Sequence, residues 1–369
     1  MAGTWSQGGS SFPLSLIRSA GIKPPKRPQE PEPPLPYIEE EITIKNEQDD
    51  LTLSGTFTYP ENIDNLPVVI LISGSGPQNR NEELLGHKPF LVLADHLTRN
   101  GIAVLRFDDR GIGQSTGDFS SATTEDFVTD VLAAVDYLET RKEIDQDKIG
   151  LIGHSEGGLV APIASVKCDE IDFIILMAAP GLSGREILRL QTALIMRAGG
   201  ADEELISREV ESAMKSYDII INEQDSAAAR EKLKKYFDES YAGMSKEEKE
   251  QLGNPDSYFD QQARMLLSPW FKYFLEYDPY PVLTEVKIPV LAINGEKDLQ
   301  VPPKENLSLI EKAFNEGGNK NYKIVELPGL NHLFQVAETG SPDEYVKIEQ
   351  TISPDALNLI TEWINQNVE

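Results

Sequence analysis

Residues 148–164 read KIGLIGHSEGGLVAPIA, and this stretch decides the fold. An apolar run with the character of a strand, Lys148 to Ile152, leads into Gly153-His154-Ser155-Glu156-Gly157, and an apolar run with helical character begins at Leu159. The pattern G-x-S-x-G between a strand and a helix predicts a sharp turn that exposes the serine hydroxyl, because glycines let the strand and the helix approach closely. Ser155 is therefore the predicted nucleophile.

Short apolar runs recur on both sides of this stretch. Such runs are typical of parallel strands covered by helices on both faces. They are Val68 to Ile72, Ile102 to Phe107, Ile149 to Ile152, Phe173 to Met177, Val290 to Ile293 and Tyr322 to Leu327. Helical patterns between them, such as Thr124 to Glu139, give the alternation of a mostly parallel, doubly wound α/β sheet. Alternating residues at 41–45 and 51–59 predict an antiparallel hairpin at its start.

Three parts are predicted along the chain. Residues 1–37 form a short N-terminal extension, which is a hairpin-like piece followed by a proline-rich stretch, Lys23 to Pro36. That stretch indicates an extended linker, and a ligand for an SH3-type domain is the alternative. Residues 38–180 and 285–369 form the α/β core. Residues 181–284 interrupt the alternation with charged, helix-forming sequence, which predicts an inserted helical cap.

The composition excludes several classes of protein. The 369 residues include 61 acidic and 34 basic side chains, for a net charge of −27. This field repels polyanions, so nucleic acid is not an expected partner. Cys168 is the only cysteine, so neither an intrachain disulfide nor a cysteine-based metal site is expected, and a small buried side chain is the interpretation for it. The oligomeric state stays open, with a homodimer as one option.

The sequence carries no sign of a membrane segment. No apolar run reaches the roughly 18 residues that suggest a bilayer span, and no signal peptide opens the chain. We expect a soluble protein without an integral membrane segment. It is either cytoplasmic or exported with a signal removed before residue 1.

A serine nucleophile needs a base, and the base needs an orienting carboxylate. His332 follows the last predicted strand, in a loop of the kind that carries chemistry in this architecture. His87 is the runner-up, and otherwise shapes the substrate entrance. Asp298 is the predicted carboxylate, with Glu296 as its competitor. The order Ser155, Asp298, His332 is the order expected when the serine occupies a strand-to-helix turn.

Two backbone N–H groups are expected to stabilise the developing oxyanion. One belongs to Glu156, the residue after the nucleophile. The second is expected from Ser73-Gly74-Ser75-Gly76-Pro77, where glycines let the backbone approach the substrate. Ser75 is the predicted donor, and Gly76, which also counts as a substrate contact, is the near alternative. A phosphate-binding loop is the competing interpretation, but the lysine and the following Ser or Thr of such a loop are missing.

The most aromatic part of the predicted cap is Ser268 to Leu275. Trp270 and Phe271 are predicted to line a substrate pocket there, since apolar pockets commonly hold acyl groups. Packing within the cap is the alternative. In Asp108-Asp109-Arg110, after the strand that ends at Phe107, the charges are expected to lock loops beside the site through ion pairs.

The chain resembles bacterial α/β-hydrolases of the carboxylesterase type, within the broad group of enzymes similar to serine aminopeptidases and monoacylglycerol lipases. The resemblance covers about residues 38–369. It is carried by Ser73 to Pro77, Asp109 to Ser115, the turn at Ser155, the Asp298 loop and the pair Asn331-His332. Relatives usually have His-Gly where this chain has Ser73-Gly74. That change keeps the main-chain donor and removes the side chain that braces the loop.

The resemblance implies the α/β-hydrolase fold and a serine carboxylesterase that hydrolyses short-to-medium acyl or aryl esters through an acyl-enzyme at Ser155. It implies no metal and no cofactor, and the expected partner is a small-molecule ester. Aminopeptidase activity, with Glu203, Glu204 or Glu211 binding the substrate's ammonium group, and acyl transfer on the same triad are the alternatives. A catalytically silent binding module on the same fold is a rival from a different class.

Overall fold

The computed structural model describes residues 2–7, 10–15 and 26–368. Strands β1 (Ala2–Gln7) and β2 (Ser10–Ser15) pair in antiparallel register as a separate two-stranded sheet. The first residues of the proline-rich stretch, 23–25, lie outside the described residues. The predicted extended linker is therefore described only from residue 26 onward.

Eight strands form the main sheet, in the order β10-β9-β8-β7-β5-β6-β4-β3. They are β3 (Ile38–Asn46), β4 (Leu51–Tyr59), β5 (Leu66–Ile72), β6 (Ala103–Phe107), β7 (Ile144–His154), β8 (Phe173–Met177), β9 (Val290–Gly295) and β10 (Tyr322–Leu327). Pairs β3–β4 and β4–β6 are antiparallel, and the other neighbours are parallel. The predicted doubly wound α/β sheet with its leading hairpin is confirmed.

Helices connect the parallel strands and cover both faces of the sheet. Those of the main fold are α1 (Pro89–Arg99), α2 (Thr124–Glu139), α3 (Gly157–Lys167), α10 (Tyr280–Glu285), α11 (Pro303–Gly317) and α12 (Pro354–Val368). The start of α2 follows from its sequence, since Thr123 and Asp126 form a capping box in which the Asp126 carboxylate accepts the N–H of Thr123 at 2.7 Å. Helix α11 begins with a proline and is followed by Gly318 in the left-handed region, which only glycine adopts without strain.

Two apolar layers hold the helices on the sheet. One layer packs α2, α3, α10 and α11 against one face, and includes Val131, Val160 and Ile310. The other packs α1 and α12 against the opposite face, and includes Leu93 and Ile360. Because both faces are covered, the central strands are buried apart from the outer end of β7, and their carboxyl ends become the sheet edge that is free to carry chemistry.

Between β8 and β9 the chain forms six further helices within residues 184–276, which are called the helical insert below. They are α4 (Gly184–Ala198), α5 (Glu203–Asn222), α6 (Ser226–Gly243), α7 (Lys246–Leu252), α8 (Pro255–Leu266) and α9 (Pro269–Glu276). They share an apolar cluster of their own, built around Tyr217, Leu233, Phe259 and Phe271. The next helix, α10, packs on the main core through Leu283 instead.

Residues 26–30 are fixed to the main fold. Gln29 accepts the backbone N–H of Thr351 at 2.6 Å and donates to the carbonyl of Ile352 at 2.7 Å. Arg27 donates to the carbonyls of Gly86 at 3.0 Å and Ile348 at 2.8 Å. Prolines alone indicate a stiff segment, and these long-range hydrogen bonds make it part of the folded surface. Within the described ranges, each helix is too short or too polar to cross a membrane.

Candidate active site

The turn between β7 and α3 holds Ser155 in a left-handed conformation, with φ of +52°. Only a crowded, fixed backbone keeps a non-glycine residue there. The neighbouring glycines show the crowding: a Cβ on Gly153 would collide with the carbonyl of Gly157, and one on Gly157 would collide with that of Ile72. The backbone N–H of Ser155 donates to Met177 on β8 at 2.8 Å. The turn therefore has the strained geometry that the sequence pattern predicts.

Asp298 and His332 lie together at the same edge of the sheet. Oδ2 of Asp298 lies 2.7 Å from Nδ1 of His332, and both side chains are buried. Oδ1 of Asp298 accepts the backbone N–H groups of Gln300 and Val301, at 2.8 and 2.9 Å. The carboxylate is thus held on three sides, and because Nδ1 of His332 faces it, Nε2 is left as the proton acceptor.

Neighbouring contacts place His332 beside the turn at Ser155. Its carbonyl oxygen lies 3.0 Å from Nε2 of His154, and the rings of His154 and His332 are 4.8 Å apart between centroids. Glu296, the competitor for Asp298, is exposed and accepts the backbone N–H of Gly329 at 2.8 Å. Of the two carboxylates weighed from sequence, Asp298 is the one in contact with the imidazole.

Residues 73–78, the loop predicted to hold the oxyanion and called the oxyanion loop below, pass close to Ser155, the predicted nucleophile. A Cβ on Gly74 would lie 3.2 Å from Cβ of Ser155, a tight contact that glycine avoids. The N–H of Gly74 donates to Oε1 of Glu82 at 2.7 Å and is therefore occupied. Among the described residues, no backbone hydrogen bond uses the N–H of Ser75, Gly76 or Glu156. The choice between Ser75 and Gly76 as second donor stays a prediction.

Asp109 braces both ends of the oxyanion loop. It accepts the hydroxyl of Ser73 at 2.9 Å and the backbone N–H of Gln78 at 2.8 Å. Burial raises the pKa of the Asp109 carboxyl to about 8. Ser73, where the resemblance leads us to expect a histidine, thus has a bracing contact of its own.

Ion pairs secure the loops on either side of Asp109. Nη2 of Arg80 lies 2.8 Å from Oδ2 of Asp108, and Nε of Arg110 lies 2.8 Å from Oδ2 of the buried Asp130. These are the charged contacts expected from the Asp108-Asp109-Arg110 sequence. Asp109 itself is held by neutral donors instead, which is why its charge is poorly stabilised.

The side chain of Glu156 has a role that the sequence did not indicate. Its buried carboxyl accepts hydrogen bonds from Oγ1 of Thr124 and Nε1 of Trp270, each at 2.7 Å. Burial raises the pKa of this carboxyl above its ordinary value. Trp270 belongs to α9, so this bond joins the helical insert directly to the turn of the nucleophile. No local pattern distinguishes such a glutamate, because its partners are distant in sequence.

Two residues predicted to bind substrate are buried in the interior of the protein. His87 is fully buried, with Nδ1 3.1 Å from the Thr351 hydroxyl and Nε2 2.8 Å from the Tyr345 carbonyl, so its role at a substrate entrance is not supported. Phe271 faces the interior of the helical insert and packs on Tyr217, with 5.7 Å between ring centroids. Local sequence does not predict the burial of these two side chains, because the residues that cover them are distant in the chain.

Trp270, by contrast, faces the main fold. It stacks on Phe274 at 5.3 Å between ring centroids and packs in an apolar cluster with Leu159, Ile187 and Val301. Leu159 follows the nucleophile on α3, and Val301 follows Asp298. This cluster, called the apolar wall below, therefore packs the helix of Trp270 against the segments that carry Ser155 and Asp298. No group of three or more His, Cys, Asp or Glu side chains in the described part of the chain is arranged to hold a metal ion.

Comparison with known proteins gives matches in sequence. A family model described as "Serine aminopeptidase, S33" matches residues 88–223, which include Ser155 but neither Asp298 nor His332. Esterase EstD of Thermotoga maritima is 26% identical over 335 residues, covering 90% of this chain and 68% of EstD. The putative hydrolase YtaP of Bacillus subtilis is 34% identical over 79 residues, or 18% of this chain and 26% of YtaP.

Solved structures match over most of the chain. An esterase of Pyrococcus furiosus superposes with a TM-score of 0.54 at 17% identity, covering 94% of this chain and 99% of that one. The alpha/beta hydrolase GrgF from a Penicillium species superposes with a TM-score of 0.52 at 18% identity, covering 90% and 99%. At this level of identity the likeness shows a shared fold, which is the fold that the resemblance in sequence implied.

Proposed function

We propose that this chain, which has the α/β-hydrolase fold, is a serine carboxylesterase that cleaves short-to-medium acyl or aryl esters through an acyl-enzyme at Ser155. The observation that carries the proposal is the 2.7 Å contact between Asp298 and His332, beside the strained turn that bears Ser155. An imidazole oriented by a buried carboxylate next to a serine on such a turn is the arrangement that activates a hydroxyl for acyl transfer.

The reaction follows in two halves. Nε2 of His332 removes the proton of the Ser155 hydroxyl while Oγ attacks the ester carbonyl carbon. The backbone N–H groups of Glu156 and Ser75 hold the oxyanion, and each such donor contributes about 3 kcal/mol in measured enzymes. His332 then passes its proton to the departing alcohol, which leaves an acyl-enzyme. Water, deprotonated by His332, attacks the acyl carbon, and Ser155 regains its proton as the acid is released.

Substrate preference is assigned to the apolar wall around Trp270. An acyl chain or an aryl ring placed there loses contact with water, at a gain of about 25 cal/mol for each Å² of apolar surface buried. The esterase EstD is a relative over most of the chain, which supports an ester rather than another acyl donor. We propose that the helical insert, within the predicted cap of residues 181–284, sets the size of this pocket.

Aminopeptidase activity is the second candidate, because the matching family model is described by that activity. The carboxylates weighed for an ammonium site give it no support. Glu203 pairs with Arg197 at 2.7 Å and Glu211 pairs with Lys215 at 2.7 Å, and the side chains of both glutamates are largely exposed on the insert. Acyl transfer to an alcohol other than water would use the same acyl-enzyme.

A panel of p-nitrophenyl esters of increasing acyl length, together with aminoacyl-p-nitroanilides, tests the proposal. We expect the esters to be cleaved, the anilides to be cleaved much more slowly, and a fluorophosphonate probe to label Ser155. The variant Ser155→Ala should lose both activities. Ser165→Ala on α3, which removes a hydroxyl that donates to Pro162 at 2.9 Å, is the matched control and should retain them. Absence of ester cleavage and of labelling in the native protein would favour the silent binding module.

A further inference from the structure

A buried pair beneath the nucleophile takes no part in the reaction described above. Nδ1 of His154 lies 2.8 Å from Oε1 of Glu82, and Nε2 of His154 lies 3.0 Å from the carbonyl oxygen of His332. The same Glu82 oxygen accepts the N–H of Gly74 at 2.7 Å. One carboxylate and one imidazole thus connect the oxyanion loop, the turn of the nucleophile and the loop that carries His332.

The two partners of His154 fix where its protons lie. The carbonyl of His332 can only accept, so Nε2 of His154 carries a hydrogen. An ionised carboxylate also only accepts, and Oε1 of Glu82 already accepts the N–H of Gly74. An imidazolium paired with that carboxylate satisfies both contacts of the ring, and it agrees with the raised pKa of His154.

The burial and the backbone conformation of this pair are energetically unfavourable. Glu82 is 4% exposed and His154 is 5% exposed. Glu82 has a φ of +50°, a conformation that non-glycine residues adopt only under constraint. Its second oxygen, Oε2, is buried without a hydrogen-bond partner among the described residues. A fold that keeps a strained, incompletely bonded carboxylate next to its reactive serine points to a function for that carboxylate.

We propose that Glu82 and His154 are positioning residues that lock the oxyanion loop and the His332 loop onto the Ser155 turn. The inference rests on the proposed function of Ser155. It adds an explanation of how two separate loops are held in fixed positions relative to Ser155. Gly74 shows how tight the tolerance is, since a Cβ there would lie 3.3 Å from Oε1 of Glu82 and 3.2 Å from Cβ of Ser155. Small displacements of reacting groups are costly to the rate.

Three groups face the imidazole of His154 and set its protonation. Glu82 approaches from the loop before α1, His332 contributes its carbonyl oxygen and its tilted neighbouring ring, and Asp298 adds negative charge from the loop after β9. Burial disfavours the imidazolium, while these neighbours raise the pKa of His154 above its ordinary value. Removing the charge of Glu82 should therefore neutralise the ring and weaken the lock.

Glu82→Gln tests the inference, because glutamine keeps the shape of the side chain and removes its charge. We expect kcat for p-nitrophenyl butyrate to fall roughly 10- to 100-fold, with KM changed by less than about 3-fold. His154→Gln should have a similar effect, and the double variant should lose little more than either single one, since both break one unit. Glu83→Gln, which changes the exposed neighbouring glutamate, is the matched control and should leave kcat unaltered.

A spectroscopic measurement separates this role from a merely structural one. The chain has four histidines, so their ring nitrogens can be resolved by NMR of histidine labelled with ¹⁵N, with His154→Gln identifying one set. In a pH titration we expect His154 to bind its second proton at a higher pH in the native protein and in Glu83→Gln than in Glu82→Gln. The rate of fluorophosphonate labelling at Ser155 should fall in parallel with kcat.

The outcomes separate this inference from the proposed function. If no ester is cleaved, the labelling rate and the NMR state still test the pair. A His154 ring that stays neutral throughout the pH titration of the native protein overturns the inference, and so does a folded Glu82→Gln with kcat and labelling rate within about 2-fold of native. If Glu82→Gln does not fold, the protonation state of native His154 and the kinetics of His154→Gln decide.

Discussion

Oγ of Ser73 donates a hydrogen bond of 2.9 Å to Oδ1 of Asp109, and this contact ties the oxyanion loop to the end of β6. The acceptor is a carboxyl that is buried and receives neutral donors only, from Ser73 and from the backbone of Gln78. Its pKa, raised to about 8 by burial, falls within the range in which enzymes are usually assayed. The hydrogen bonds that Asp109 makes to the oxyanion loop are therefore expected to depend on pH.

Asp109→Asn should remove one source of pH-dependent stability. The native fold binds a proton on Asp109 up to about pH 8, whereas the unfolded chain loses it near pH 3.9, so this contribution is full below pH 3.9 and is lost as the pH rises through 8. Asparagine can keep both contacts without titrating, because its oxygen can accept the N–H of Gln78 while its amide donates to the hydroxyl of Ser73. The free energy of unfolding of the variant relative to native should rise by about 1 to 4 kcal/mol between pH 5 and pH 8, as measured in urea.

The control for this prediction is Asp136→Asn, which changes an exposed carboxyl on α2. Its difference from the native protein should stay flat over the same range. A flat difference for Asp109→Asn as well would mean that the carboxyl titrates at its ordinary pKa and does not limit the loop.

Asp298→Asn should reduce kcat by about 10³- to 10⁴-fold. The asparagine oxygen would keep the N–H groups of Gln300 and Val301, so its amide would face Nδ1 of His332 and stabilise the wrong tautomer. Steady-state hydrolysis of p-nitrophenyl butyrate measures the effect. Glu296→Gln alters the exposed carboxylate of the same loop and should retain native kcat. Equal losses in the two variants would contradict the assignment of Asp298.

Trp270→Phe should loosen the helical insert over the site. It removes the N–H that bonds Glu156 at 2.7 Å and keeps most of the aromatic packing. We expect the free energy of unfolding to fall by about 1 to 2 kcal/mol, because a buried carboxyl loses a partner. KM for longer acyl esters should rise more than kcat falls.

Tyr273→Phe is the matched change on the same helix. It removes a hydroxyl that donates at 3.2 Å to Glu125, which is partly exposed and can turn to water. Native KM is expected for this variant. If the two variants behave alike, the contact between Trp270 and Glu156 has no special part in holding the insert.

Gln29→Ala should destabilise the fold without slowing the reaction. Its side chain bonds the backbone of Thr351 and Ile352 at 2.6, 2.7 and 3.2 Å. Loss of these bonds should lower the free energy of unfolding by about 1 to 3 kcal/mol, with kcat unchanged. Glu32→Ala, at an exposed position of the same stretch, should be neutral. A neutral Gln29→Ala would restore the interpretation of this stretch as a passive linker.

Local pattern was enough for the main elements. Strands β8 and β10 and helix α2 have the bounds that the sequence predicted, because each is an apolar or amphipathic run that ends at residues unsuited to continue it. Strand β7 begins at Ile144, five residues before the predicted start at Ile149. Its first residues include polar side chains, and a register shift interrupts its pairing with β5 there. Periodicity cannot detect a strand whose outer end is solvated.

The sequence by itself determined the sheet, the strained turn at Ser155 and the order of the three predicted catalytic residues, because each depends on residues adjacent in the chain. Tertiary structure alone decided which side chains meet. Glu82 and His154 are separated by 72 positions, Glu156 and Trp270 by 114, and His87 and Thr351 by 264. Hydrogen bonds between such residues depend on how helices and loops close over the sheet, and no local spacing records that closure.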